Sequence, residues 1–400
     1  SRLILTPADD TKARKSWSDR AHLFQTQVID QNRFASDVNA KMSADDLKLE
    51  ASAAAEIEKA SMEMKSLGQS SRIYALASHM PRTVNILSRG EVEQKREEAT
   101  PGALSCVAGL NSQFGPISDE GMRRAKLAEW IANPANMLTW RSIVNRVWHL
   151  HFGKGIVDTP NDFGKNGGKP SHPALLDWLA NDFRLHPSLK RLHRMIVTSA
   201  TYRQTSVVRP ECAQLDADNR LLWRMNRTRL DAETVRDSIM AASGTLDFTM
   251  GGPGYDLFRF KDDHSPIYDH SVKERYIRPE AWRRTIYRFV VRSVPNPLLD
   301  TLDSADPNVI TPVRNITLTA LQALSLMNNP FVLDQCERFA KSVTSQTSDP
   351  RAQIETISMR TWGRKPDASE MSALISYVKR YGLPALCRVA FNANSFMFVD

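Results

Sequence analysis

The sequence contains few cysteines and no cysteine motif. Only four of its 400 residues are cysteine, and they lie far apart: Cys106, Cys212, Cys336 and Cys387. No CxxC, CxxCH or zinc-type spacing occurs, so the chain cannot itself attach a c-type haem or build a cysteine-based zinc site. We expect buried thiols, although one or two disulfides of undetermined pairing are open to an exported protein.

A long hydrophobic run is also missing. No apolar stretch approaches the roughly 20 residues that a helix needs to cross a bilayer, so no membrane span is expected. The chain begins at Ser1 without a basic segment followed by an apolar run, so no signal peptide is visible. Because the initial methionine is missing, we expect a processed or excised chain. The missing signal then says nothing about the parent protein.

Fingerprints of common catalytic sites are absent as well. There is no GxSxG elbow, no Walker sequence and no dinucleotide fingerprint; the glycine-rich run 251–254 has the wrong spacing and no strand before it. Ser171 and His172 are neighbours, and Ser199 follows later, but a catalytic triad is defined by geometry in space. The sequence therefore indicates neither serine-hydrolase nor nucleotide-binding chemistry.

Composition and length indicate a globular chain with more than one core. The chain is 42% hydrophobic and 24% charged, which is ordinary for a folded protein. Single cores stop growing near roughly 250 to 300 residues, so a longer chain predicts two or more sub-domains.

The net charge of +8 comes with many arginines in the middle of the chain. One interpretation is an acidic partner, such as an acidic polysaccharide, a nucleic acid or anionic lipid. The other is a set of solvated helix faces and internal ion pairs, which we favour because acids are interleaved with the arginines. No nucleic-acid partner is expected. The interleaved acids are Asp177, Asp182, Asp231, Glu233 and Asp237.

The hydrophobic patterning predicts a mainly α-helical fold, a multi-helix orthogonal bundle with a few short β-strands or a small sheet. The clearest strand signal is 284–291, which alternates and is aromatic and β-branched. Residues 317–327 are nearly all apolar and predict a buried helix. The expected parts are a helical hairpin lead-in (1–70, with helices 8–40 and 43–67), a small β-hairpin excursion (71–117), a helical core (118–254), a loop and strand segment (255–312) and a C-terminal helical segment packing on the core (313–400).

Several short sequence motifs identify a family more specifically than the composition does. Among them are LAEWIANP (127–134), IVNRVW (143–148), SHPALLDW (171–178) and MNNP (327–330). Together they resemble the planctomycete-specific domain of unknown function (planctomycete-specific domain one). That domain forms the C-terminal module of large exported planctomycete proteins. The resemblance covers roughly 71–400.

The resemblance carries expectations about the setting, and no activity is established for the family. It implies an upstream cytochrome-c-like domain in the parent protein, so upstream domains are expected partners. It also implies a periplasmic, cell-envelope or extracellular location. Haem ligation would belong to the upstream domain, and no cofactor is expected in this chain.

The best local candidate for chemistry is a loop rich in aspartate and histidine. Such side chains can bind a cation or form an acid and base pair, and loops carry function more often than their share. The alternative is a hydrogen-bonded loop in which the aspartates make Asx-turns. The candidate catalytic residues are Asp262, Asp263, His264, Asp269 and His270.

A second candidate is a polar and aromatic set in the helical core. Aromatic rings beside arginine, asparagine and aspartate suit a sugar-binding site. The alternative, which we favour, is that the tryptophans fill the core and that buried Arg–Asp pairs clamp helices together. The candidate binding residues are Asn145, Arg146, Trp148, Arg229, Asp231 and Arg236.

His149 and His151 lie two residues apart near the end of a predicted helix. Two such side chains diverge by about 200° on a helix, so we expect no shared metal ion. We expect them instead to hydrogen-bond to loop backbone or to cap the helix.

Three functions remain open from the sequence. The first is a binding or assembly module of an exported envelope protein that recognises acidic polysaccharide. The second is a glycan-acting hydrolase that uses the 261–270 loop with acids and arginines of the helical core. The third is a structural scaffold for an upstream redox domain. We expect a site, if there is one, where the helical core meets the 261–270 loop.

Overall fold

The computed structural model describes residues 43–66 and 75–399, apart from the side chains of residues 65 and 66. The chain divides into two compact units, Ser1–His79 and Met80–Asp400. In the first unit, helix α1 (Ala44–Ser66) confirms the predicted second helix. It begins at Ser43, whose hydroxyl accepts a hydrogen bond from the Asp46 amide at 3.2 Å. The predicted helix 8–40 lies outside the described residues.

The second unit opens with the predicted β-hairpin. Strand β1 (Asn85–Leu87) pairs antiparallel with β2 (Lys95–Glu98). Arg89 lies in the connecting turn with a φ of 54°, a left-handed conformation that a following glycine helps to accommodate. Residues 75–77, at the start of the predicted β-hairpin excursion (71–117), are not in a strand.

Three helices, with the loop that follows the first of them, build the first hydrophobic core. They are α3 (Met137–Phe152), α4 (Pro173–Leu185) and α5 (Leu189–Val197), and α2 (Glu120–Ile131), which has no buried residue, precedes them in the chain. Apolar side chains of α3, α4 and α5 meet in the interior of this core. Ion pairs near the surface, rather than the predicted buried clamps, join these helices: Arg141 lies 2.6 Å from Asp177, and Arg191 lies 2.9 Å from Asp182.

The second core uses elements from the rest of the chain. Helix α6 (Pro210–Leu215) and strand β3 (Thr228–Arg229) lead into α7 (Ala232–Ser243), which packs on C-terminal helices. Strand β3 pairs antiparallel with the last strand, β6 (Phe398–Val399). The remaining helices are α8 (Glu274–Ile277), α9 (Pro297–Thr301), α10 (Ala320–Asn328), α11 (Pro330–Thr344), α12 (Pro350–Trp362), α13 (Ala368–Tyr381), α14 (Leu383–Phe391) and α15 (Asn394–Met397).

A second hairpin, β4 (Arg259–Lys261) with β5 (Ile267–Asp269), completes the strands of the described residues. The fold is therefore mainly α with a few short strands, which confirms the predicted class. Within the described residues, no helix is both long and apolar enough to span a bilayer.

The strand predicted over 284–291 was wrong. Residues Thr285–Tyr287 form a short 3-10 helix, and the segment makes only isolated bridges. The Asp237 carboxylate accepts hydrogen bonds from the backbone amide and the hydroxyl of Thr285. The Asp237 side chain binds the Thr285 amide, which a β-strand would have paired with a neighbouring strand. The alternating sequence at 284–291 therefore does not form a strand.

The apolar segment 317–327 forms a helix, but it is not buried as predicted. Helix α10 starts at Thr319, whose side chain makes a capping box with Gln322. Leu321 and Leu324 are exposed, and the buried side chains of this helix are Gln322 and Leu326. The polar network around Gln322 orients the helix, so its apolar face does not point entirely into the core.

The cysteines only partly match the expected buried thiols. Cys336 and Cys387 are buried in the second core, but Cys106 is exposed and Cys212 is half-buried, and all four are free. Burial raises the pKa of the Cys336 thiol and raises the pKa of Cys387 to about 12, so both stay protonated and unreactive.

Candidate ligand pocket between the two cores

A pocket of about 380 Å³ lies where the two cores of the second unit meet. Its walls come from the end of α3, strand β3 with the start of α7, and the segment 302–316, and we call it the seam pocket. Met225 of the first core and Leu302 of the second core both line it. This position and size are those of a small-molecule site.

The end of α3 supplies two histidines to the seam pocket. Gly153 ends the helix with a φ of 72°, and His149 and His151 both line the pocket although they are only two residues apart. His151 does not bond to loop backbone as expected. Its Nε2 lies 2.7 Å from Nδ1 of His193 on α5, and its ring meets the Tyr202 ring edge-on at 5.6 Å.

Both histidines are neutral near pH 7. Burial lowers the pKa of His149. Burial, with the neighbouring His193 as a further cause, lowers the pKa of His151. A neutral imidazole offers one donor and one acceptor nitrogen, so this wall can bind hydroxyl groups without adding charge.

A buried network joins β3 to the segment 302–316. Arg229 Nη1 lies 3.2 Å from the Asp303 carboxylate, and its Nη2 donates to Gln322 Oε1 at 3.0 Å. Gln322 Nε2 in turn donates to Asp303 at 3.0 Å. The Thr317 amide donates to the same carboxylate at 2.8 Å. The ion pair is therefore held by hydrogen bonds on both sides, which a buried pair needs.

The environment of Asp303 keeps its carboxylate charged. Partial burial raises its pKa, but hydrogen bonds from Thr317 and Gln322 and the charge of Arg229 outweigh burial, so the pKa lies below its ordinary value. Asp303 also has a φ of 65°, which is uncommon for a residue with a side chain. The hydrogen bonds explain how this backbone conformation is held.

The opposite rim of the seam pocket combines a helix cap and an ion pair. The Asp231 carboxylate accepts a 2.8 Å hydrogen bond from the Thr234 amide and so caps α7, as the sequence predicts. Arg314 lies 3.2 Å from Glu233. The charged lining residues are Arg229, Arg314, Asp231 and Asp303, two of each sign, so the lining is balanced.

Three polar atoms in the residues of the pocket wall are buried and have no hydrogen-bonding partner within the part of the chain that the structure describes. They are His149 Nδ1, Thr228 Oγ1 and Arg229 Nε. Leaving a buried polar group without a partner costs about 1–3 kcal/mol, so native proteins satisfy most such groups. Buried polar atoms without a partner also occur elsewhere in the described residues, for example His270 Nε2, so these three support the pocket only together with its volume and its lining.

Three of the predicted binding residues contact the first core or the loop after α3, and none of them lines the seam pocket. Asn145 is fully buried and exchanges two hydrogen bonds with the backbone of Val157, at 2.9 and 2.8 Å. Arg146 donates to the side chain of Asn161. Trp148 is buried and stacks on Phe152 with ring centroids 4.2 Å apart. These contacts position the loop after α3 and support the interpretation of this part of the set as core.

Arg236 is fully buried beside the second core. It donates to the Tyr255 hydroxyl at 2.9 Å and to Thr285 at 3.1 Å, and its guanidinium lies 5.0 Å from the Phe331 ring centroid. It does not line the seam pocket. Of the six predicted binding residues, the pocket uses Arg229 and Asp231.

The five aspartates and histidines of the 261–270 loop lie on the β4–β5 hairpin. Asp263 lies 3.2 Å from Lys261 and accepts the His264 amide at 2.7 Å. Asp262 is exposed in the same turn. Asp269 accepts both the amide and the hydroxyl of Ser271. These hydrogen bonds lower the pKa of both Asp263 and Asp269.

His270 follows β5 and is half-buried, with Nδ1 3.2 Å from the Leu257 carbonyl oxygen. Burial is the main cause that lowers its pKa. None of the five loop residues lines the seam pocket, and no group of three or more potential metal ligands occurs among residues 43–66 and 75–399. Their proposed chemical role stays a prediction.

Sequence reasoning missed most of the pocket. Asp303, Arg314 and Gln322 come from irregular or apolar stretches without a motif. His193 and Tyr202 belong to a predicted helix but meet His151 only after the chain has folded. One signal was available: Asp303 lies in the loop and strand segment 255–312, and loops often carry functional groups.

Comparison with known proteins supplies a family. A family model described as PSD1, protein of unknown function (DUF1553), matches residues 123–378. The chain belongs to the PSD1 family. This confirms the resemblance drawn from the sequence phrases. The matched region of this PSD1 protein includes the pocket residues from His149 to Ile316. Neither a curated protein nor a solved structure matches the chain significantly.

Proposed function

We propose that this PSD1 chain is a ligand-binding module whose seam pocket takes a neutral, hydroxyl-rich small molecule of the size of one or two sugar units. The observation that carries this proposal is the pocket of about 380 Å³ itself, whose lining combines imidazole, hydroxyl and amide side chains with a charge-paired arginine. Hydroxyl groups both donate and accept, so they can serve an imidazole nitrogen, a threonine hydroxyl and an arginine N–H together.

The charge of the lining favours a neutral ligand over an acidic one. Arg229 is paired with Asp303 and Arg314 with Glu233, and both pocket histidines are neutral near pH 7. An acidic polysaccharide would need unpaired positive charge at the point of contact. The acidic-polysaccharide hypothesis is therefore kept as a competing outcome of the test, and the envelope setting stays part of the proposal through the family resemblance.

The test is calorimetric titration of the full chain with a panel of neutral mono- and disaccharides and their sulfated or carboxylated counterparts. Small ligands gain roughly 0.3 kcal/mol per non-hydrogen atom, which for a hexose of about 12 such atoms corresponds to millimolar affinity. We expect saturable binding of at least one neutral sugar. Binding of the acidic counterparts alone, lost as salt is raised, would favour the acidic-polysaccharide hypothesis.

Two matched variants locate the site. Asn315→Trp places a bulky ring on the exposed rim of the seam pocket and should abolish binding. Asp262→Trp places the same ring on the exposed β4–β5 turn and should leave binding unchanged. The opposite result would move the site to the hairpin and would support the hydrolase hypothesis for that loop.

A further inference from the structure

The mouth of the seam pocket carries exposed apolar side chains next to its polar walls. Leu150 is 75% exposed, Ile316 is 62%, Val399 is 52% and Val313 is 43%, and all four line the pocket. We call these four residues the apolar lip. They come from α3, from the segment 302–316 and from β6, which are distant in the sequence.

Single exposed apolar residues are ordinary on protein surfaces, but several that meet at one pocket mouth are not. Folding brings three separate segments together there, and none of the four side chains is used to fill a core. The rest of the rim is polar, with Asp231, Thr234 and Asn315 exposed. The pocket therefore has polar walls and a mouth that is apolar in part.

We infer that the natural ligand is an amphiphile, in which a sugar-like head group occupies the polar walls and an attached hydrocarbon or other apolar group lies on the apolar lip. This inference rests on the proposed function. A free sugar would leave the four lip residues in water, whereas an apolar substituent would cover them. Removing apolar surface from water on both sides would then add to the affinity of the head group.

The test uses methyl, butyl and octyl β-D-glucosides, titrated into the full chain below the concentration at which they form micelles. Each methylene fully removed from water contributes about 0.8 kcal/mol, which is about fourfold in affinity. We expect octyl glucoside to bind at least about tenfold more tightly than methyl glucoside, the equivalent of about two buried methylenes.

The lip is tested with the double variant Leu150→Gln, Ile316→Gln, which keeps side-chain size but removes the apolar surface. It should lose most of the octyl advantage, measured as the ratio of the affinities for octyl and methyl glucoside. The control is Leu215→Gln on α6, at a leucine that is 91% exposed and outside the pocket. This control should keep the full chain-length dependence.

The outcomes separate this inference from the proposed function. Equal affinity for methyl and octyl glucoside overturns the amphiphile while leaving a sugar pocket in place. A chain-length dependence that survives the double variant also overturns it, because the alkyl chain then lies elsewhere. If no glucoside binds at any length, both proposals fail. Sedimentation of both proteins tests a second occupant of the lip. If the parent chain is a dimer and the double variant is a monomer, the lip binds a second copy of the chain and the inference is overturned.

Discussion

Histidine and aspartate side chains occur in both the seam pocket and the β4–β5 hairpin, and their surroundings differ. On the hairpin, Asp263 and Asp269 are satisfied by the residues next to them in the chain. In the pocket, Asp303 depends on Arg229, Thr317 and Gln322, which lie 74, 14 and 19 positions from it in the chain. A dense run of reactive residue types can be a locally satisfied turn, whereas a site can be assembled from residues that no motif connects.

The strongest test of this difference is Arg229→Met. Removing the buried Arg229 leaves the partly buried Asp303 carboxylate without its counter-charge, which costs about 3 kcal/mol, the lower end of the range for buried pairs. Urea denaturation of the full chain should show that loss in the free energy of unfolding. Arg259→Met on the exposed hairpin strand is the matched control and should cause no resolvable change. Equal effects of the two variants would contradict the contrast between the regions.

The sequence predicted the positions of the helices better than it predicted the strand at 284–291 or the burial of α10. Helix positions were predictable because α3, α4, α7 and the C-terminal helices carry regular apolar spacing, caps and terminal glycines. The strand at 284–291 was not, because Asp237 intervenes from another helix. The burial of α10 was mispredicted for a similar reason, since the network around Gln322 decides its orientation.

Candidate site residues follow the same division. Asp231 was predictable as a cap, since the cap is local to α7. Arg229 stood out as a residue type, but its partner Asp303 lies 74 positions away in the chain. Contacts between distant segments depend on packing of the two cores, and one sequence contains no direct record of such contacts.

Asn145→Ala should show the next largest effect. It removes two hydrogen bonds and leaves the amide and carbonyl of Val157 buried without partners, so we expect a loss of about 2 kcal/mol. Differential scanning calorimetry measures it as a lower melting temperature. Asn315→Ala at the exposed pocket rim is the control. If the Asn145→Ala protein keeps its stability but no longer binds ligand, Asn145 belongs to the binding site, as the sequence predicted.

At Asp231, two substitutions separate stability from charge. Asp231→Ala removes the cap of α7 and should cost about 1 kcal/mol, whereas Asp231→Asn keeps a good capping residue and should be nearly neutral. Thermal unfolding of both variants measures the difference. If Asp231→Asn keeps the fold but weakens sugar binding, the carboxylate contacts the ligand; unchanged binding limits Asp231 to its structural role.

Acid pH should destabilise the fold through three half-buried histidines. The pKa values of His149, His151 and His270 are lowered in the folded state, so the unfolded chain binds more protons once the pH falls below about 6.5. Stability is full above that pH and declines as the pH falls toward the lowered pKa values. Melting temperatures between pH 7.5 and 5 should show the decline. His151→Gln should flatten it, and His264→Gln on the hairpin turn should leave it unchanged.

The smallest effect is expected at the hairpin turn. Asp263→Asn removes an exposed carboxylate whose partners are the adjacent Lys261 and His264. We expect no resolvable change in melting temperature or in sugar affinity, because exposed ion pairs contribute little. A large loss of sugar binding would contradict the contrast between the two regions and would place the binding site on the hairpin.

The network at Asp303 has a kinetic consequence. One carboxylate fastens the segment 303–317 to β3 and α10, and this segment is one side of the seam pocket. A wall held by this carboxylate and by the Arg314–Glu233 ion pair can detach locally as a gate while both cores stay folded. In such a gate, weakening the fastening raises the rates of ligand entry and exit together and leaves the equilibrium constant nearly unchanged. Residence time and affinity would then be set by different residues.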